Sequence, residues 1–148
     1  MINIFIDTSG SMSEIGKDSG AIYVVKSIQN YCEFHSLKSD VYKFDGNIVR
    51  DIHSIKFDEN INVNLLSDFI KSKNLMGNIL VSDGLFDEEI LDNTVSISIG
   101  VDADIYNLEK VSLNVFEPEN IIEALAYLQF INNANNIQEE EDEDDDWD

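Results

Sequence analysis

Cysteine, proline, tryptophan and basic residues are all scarce in this 148-residue chain: one each of the first three, and nine Lys and Arg together. A single cysteine, Cys32, excludes an intrachain disulfide and a cysteine-rich zinc centre. It falls in a helical pattern and reads as a small buried hydrophobe, not a reactive thiol. Against the nine bases stand 30 acids, a net charge of −21, and nine of those acids fall within residues 139–148. Such a field repels nucleic acid and anionic membranes, and favours basic proteins and metal cations as partners. Long apolar runs are missing too. None approaches the roughly 18 residues of a membrane span, and no basic leader precedes the first one, so the expected location is cytoplasmic. His35 and His53 are isolated and read as structural or exposed.

What remains is enough for one domain. Ile2-Asn3-Ile4-Phe5-Ile6 reads as a buried strand, and Ala21, Val24, Val25, Ile28, Tyr31, Cys32 and His35 recur at helical spacing after it, with Ser13 or Asp18 as possible caps. Residues 40–44 and 48–52 read as two strands joined through Asp45-Gly46-Asn47, whose glycine suits a tight hairpin. A short helix capped by Asn62 or Asn64 follows, with Leu65, Leu66, Phe69 and Ile70 inward. Residues 78–82, 94–99 and 111–116 are further strands, Asp87–Leu91 makes at most a short helix, and Ile105–Glu109 is a helical turn or two. Pro118 opens a last helix to about Asn133. Strands alternating with helices imply an α/β fold: a doubly wound, mostly parallel six-stranded sheet with helices on both faces and one antiparallel edge hairpin. The expected domain is 1–135. Residues 136–148 have almost nothing to bury and are expected to form a disordered acidic tail. In that tail Trp147 is a candidate anchor for a basic partner, since charge can steer the approach and the ring can fill a pocket.

Ligands in an α/β sheet bind beyond the carboxyl ends of the strands. Two acidic loops stand there: Asp7-Thr8-Ser9-Gly10-Ser11-Met12 after the first strand, and Asp83-Gly84 after Leu80-Val81-Ser82. Asp7, Ser9 and Ser11 present hard oxygen donors at alternate positions of a turning chain, and Asp83 can join them. Such a set suits Mg²⁺, Mn²⁺ or Ca²⁺ better than zinc or copper.

These two loops resemble those of von Willebrand factor A domains. Asp7-Thr8-Ser9-Gly10-Ser11-Met12 is similar to that family's DxSGSM signature, Leu80-Val81-Ser82-Asp83-Gly84 to its later strand and turn, and the order of elements over residues 1–134 fits its Rossmann-like fold. The resemblance implies a metal-ion-dependent adhesion site, in which Ser9 and Ser11 ligate Mg²⁺ directly, Asp7 directly or through water, and Asp83 often through water. It implies recognition of a partner's acidic side chain and no catalysis. A MoxR-type AAA+ ATPase is a plausible partner. The family's usual loop threonine is absent: Val63 falls at its place, so the site either lacks that ligand or draws on Asn62, Asn64 or Ser67. Two other functions compete. An acidic decoy would occupy a basic nucleic-acid-binding surface. An aspartate-dependent phosphatase would use Asp7 as nucleophile, but Ser9 stands where its second carboxylate belongs and no lysine is obviously placed to neutralise a phosphoryl group.

Overall fold

The computed structural model describes the backbone of residues 1–145 and the side-chain surroundings of residues 1–133. Its five strands are β1 (Ile2–Ile6), β2 (Ser39–Tyr42), β3 (Asn78–Ser82), β4 (Thr94–Ser98) and β5 (Val115–Phe116). Four α-helices alternate with them: α1 (Lys17–Phe34), α2 (Val63–Lys73), α3 (Ile105–Val111) and α4 (Ile121–Asp145). All strands pair in parallel in the order β2-β1-β3-β4-β5. The architecture is Rossmann-like α/β. No helix among the described residues is long and apolar enough to cross a membrane.

The central strands β1, β3 and β4 are buried at every position because each covers two cores. On β1 and β3, Ile4, Ile6, Ile79 and Val81 pack on one face against Val24, Val25 and Ile28 of α1 and Leu125 and Leu128 of α4. Phe5 and Leu80 turn to the other face, against Leu66 and Ile70 of α2 and Leu108 and Val111 of α3. Alternate side chains on a strand point to opposite sides, so an unbroken hydrophobic run is what two buried faces demand. Phe5 is fully buried, which contributes roughly 1.5–3 kcal/mol relative to an exposed ring.

Several expectations are corrected. The sheet has five strands, not six, and no antiparallel hairpin borders it. Tyr42 and Ile48 form only an isolated antiparallel bridge. Residues 48–52 fail as a strand because the core takes Val49 and Ile52, which are three apart, while Ile48 is 53% exposed. A strand would bury positions two apart. The chain then turns through Ile52–Ser54, where the Asp51 carboxylate accepts from the His53 amide at 3.0 Å. No helix forms over residues 87–91. Neither Ser13 nor Asp18 caps α1, whose N-cap is Gly16 in the left-handed conformation. Asn62 does cap α2, accepting from the Asn64 amide at 2.9 Å. Residue 111 ends α3, which shortens the last strand to Val115–Phe116. The backbone of α4 continues to Asp145, past the expected end near Asn133. The Gln and Glu residues there are good helix formers. Trp147 lies outside the described residues.

Candidate cation-binding site

Parallel pairing of β1 with β3, in the register Ile6↔Val81, brings both acidic loops off the same edge of the sheet. The Asp7 amide donates to the Val81 carbonyl at 3.0 Å, so Asp7 leaves β1 beside Ser82, the last residue of β3. Asp7 is fully buried, and both its oxygens are engaged: Oδ1 accepts from the Ser9 amide at 2.9 Å and Oδ2 from the Ser82 hydroxyl at 2.6 Å. Burial pushes the Asp7 carboxyl above the usual carboxylate range, against the lowering effect of the bonds from Ser82 and Ser9.

Beyond Asp7 the chain makes a 3₁₀ turn, Gly10–Ser13, held down by fully buried Met12. That turn carries Ser11 toward β3. Ser9 Oγ and Ser11 Oγ lie 3.1 Å apart, and the Ser11 hydroxyl donates to Asp83 Oδ2 at 2.7 Å. Asp83 Oδ1 accepts from the Leu85 amide at 3.1 Å. Gly84 (φ +75°) turns the chain here, and a Cβ on it would meet the Asp104 carbonyl at 2.7 Å. Asp7, Ser9, Ser11 and Asp83, four residues singled out from sequence, are therefore one cluster.

The oxygens of Ser9, Ser11 and Asp83 are linked by hydrogen bonds, at separations that also occur between the ligands of a small divalent ion. Neighbouring ligands of an octahedral Mg²⁺ lie about 2.9 Å apart, given metal–oxygen bonds of about 2.0–2.1 Å. The edges Ser9–Ser11 at 3.1 Å and Ser11–Asp83 at 2.7 Å bracket that value. Among the described residues no three His, Cys, Asp or Glu side chains gather where they could hold a metal ion.

An open cleft of about 790 Å³ faces this corner, lined by Ser9, Ser11, Glu59, Asn62, Leu85 and Asp87 among others. Val63 is no donor: it is buried with Phe5 and Leu66 in the second core. Ser67 is buried and donates to the Ile90 carbonyl at 3.4 Å, away from the cleft. Asn62 spends its side-chain oxygen on capping α2. Glu59 borders the cleft instead. Its amide donates to the Thr8 carbonyl at 3.1 Å, its carboxylate accepts from the Thr8 hydroxyl at 3.3 Å, and Lys43 pairs with it. Asn64 is exposed on the same rim.

Sequence reasoning missed Glu59 and also Lys17, having found no lysine placed near these carboxylates. Lys17 Nζ, wholly buried, lies 3.1 Å from Asp83 Oδ2 and 2.8 Å from Asp102 Oδ1. Desolvation pulls the Lys17 ammonium down, yet the bonds to Asp102 and Asp83 outweigh it and hold it above the ordinary lysine value. The hydrogen bond from Lys17 holds Asp102 below the usual carboxylate range. One signal was available: Lys17 opens α1, and a cation at a helix N-terminus opposes the dipole unless acids compensate it. Which acids do so depends on loops far along the chain.

Ile15, two residues before Lys17, has φ +52° and is 80% exposed. A β-branched residue in the left-handed region is strained. Ile15→Asn is expected to raise stability by about 1 kcal/mol, because asparagine tolerates that conformation and no buried contact is lost. Urea denaturation of the two proteins measures it, and a destabilised variant would show that the exposed isoleucine side chain makes a needed contact.

No family model and no curated protein matches this chain.

Proposed function

We propose that this protein is a von Willebrand factor A-like recognition module, with Ser9, Ser11 and Asp83 as the residues that hold a divalent cation and Asp7 as the buried support behind them. The observation that carries the reading is the convergence of three oxygens, from two loops on neighbouring strands, at 3.1 and 2.7 Å beside an open cleft. Mg²⁺ bound there, or Mn²⁺ or Ca²⁺ in its place, would offer an open coordination position to an acidic side chain of a partner. Met12 and the Ser82–Asp7 bond keep the serine loop in place before any partner arrives. Asn62 and Leu85 on the cleft rim supply hydrogen-bonding and apolar contact around such a carboxylate. The resemblance points to a MoxR-type AAA+ ATPase as partner class, and the acidic segment 139–148 adds attraction for a basic one. A nucleophilic Asp7 is disfavoured, because both its oxygens are already occupied and it has no exposure.

Titrating Mg²⁺ while following backbone amides by NMR tests the metal. Saturable shifts are expected at residues 7–13 and 83–87, and Ser9→Ala with Ser11→Ala should remove them while the rest of the spectrum is kept. Absence of any saturable response in the unaltered protein defeats the reading. The acidic decoy makes the opposite forecast for partner capture: binding to a basic protein that survives the serine substitutions, and collapses with salt or on deletion of residues 137–148.

A further inference from the structure

We propose that Lys17 is a resident counter-cation that competes with a divalent ion for Asp83, and thereby sets how tightly the site binds metal. This inference rests on the metal reading above. The Lys17 ammonium and the Ser11 hydroxyl share one acceptor, Asp83 Oδ2, at 3.1 and 2.7 Å. A divalent ion held by Ser11 and Asp83 therefore meets a positive charge already seated on the same oxygen, out of reach of solvent. Like charges at that separation repel strongly in a poorly hydrated site. The lysine has a second acceptor to retreat to. Asp102, with its side chain 42% exposed, receives Nζ at 2.8 Å, so Lys17 can pass its full charge to the β4–α3 loop when Asp83 turns to a metal.

The surroundings of Lys17 are fitted to its stem. Gly100 (φ +94°) lies beside it, and a Cβ there would come within 2.8 Å of Lys17 Cε and 3.1 Å of its Cδ. The lysine occupies a helix N-terminus whose N-cap is Gly16, which has no side chain to offer the helix amides. Placing a buried cation there is unfavourable in itself. Without a metal, however, it neutralises Asp83 and joins the β3 loop to the β4 loop. The site is thus held closed by its own lysine and opened to metal by exchange.

The test is Mn²⁺ affinity, read from the electron paramagnetic resonance signal of free Mn²⁺ in the presence of the full chain. Lys17→Met is expected to bind Mn²⁺ about tenfold more tightly, because the competing charge is gone. Asp102→Asn is expected to bind more weakly, because Lys17 loses its alternative acceptor. The loss should exceed that in Asp87→Asn, which removes one acid at the cleft rim that forms no ion pair among the described residues. Wild-type binding that Lys17→Met leaves unchanged would overturn the exchange and leave the metal reading standing. If neither protein binds Mn²⁺, both readings fall. Binding by Lys17→Met alone would confirm the competition in its strongest form. Should Lys17→Met not fold, the Asp102→Asn and Asp87→Asn pair decides, and equal weakening overturns the proposal.

Discussion

Asp83→Ala is expected to cost about 3 kcal/mol of folding stability and to abolish any Mg²⁺ response, the largest combined loss from one substitution in this site. Asp83 and Lys17 face each other with no exposure on either side chain. Removing one partner of a buried pair leaves an uncompensated charge, which costs about 3–5 kcal/mol. The lower end applies because Asp102 still offers Lys17 a counter-charge, though from a half-exposed position. The Ser11 hydroxyl and the Leu85 amide also lose their acceptor. By contrast Lys43–Glu59 and Lys110–Glu88 join partly exposed side chains, and pairs of that kind contribute about 0–1 kcal/mol. Urea denaturation at neutral pH measures the difference, with Asp83→Asn as companion, since it keeps an acceptor and removes the charge. A loss below about 1 kcal/mol in Asp83→Ala would mean that Asp102 alone satisfies Lys17.

Sequence and structure agree where one local rule decides the outcome. Ile2–Ile6 and Asn78–Ser82 are mostly apolar and show no alternation because both sheet faces are covered, and their loops meet because parallel neighbours end at the same edge. Asp7, Ser9, Ser11 and Asp83 could therefore be gathered from spacing and topology together. Residues 48–52 misled because Ile48, Val49 and Ile52 satisfy a strand's composition, while the core selects Val49 and Ile52. Composition cannot reveal which side chains a neighbouring helix leaves room for. Lys17 was hidden for another reason. Its partners stand 66 and 85 residues away, and only the adjacency of β3 with β4 puts both within reach. Glu59 was hidden in the same way, since its link to Thr8 crosses 51 residues. Val63, where the resemblance led one to expect a hydroxyl, packs with Phe5 and Leu66 in the second core.

Asp7→Asn should separate function from stability most sharply: the Mg²⁺ response is expected to vanish while the folded state gains about 1 kcal/mol at neutral pH. The Asp7 carboxyl is fully buried, and desolvation raises its pKa against the bonds from Ser82 and Ser9. A raised folded-state value means that the native protein holds this proton more tightly than the unfolded chain does. The resulting contribution to stability is fully present below the unfolded carboxylate pKa and is lost as pH rises through the folded one. Above the raised value the wild type carries the whole cost of a buried charge, and an uncharged amide removes it. Asparagine keeps an oxygen to accept the Ser9 amide. It cannot accept the Ser82 proton as well, although Ser82 Oγ still accepts from Gly84 at 2.9 Å, and this limits the gain. Denaturation of both proteins from acid to neutral pH isolates the term, because the repulsion among the remaining acids is common to the two. The wild type should lose stability relative to Asp7→Asn across the interval between the ordinary carboxylate value and the raised one. A variant destabilised at neutral pH would show that the ionised carboxylate holds the serine loop in the fold. A retained Mg²⁺ response would place the cation outside the reach of Asp7.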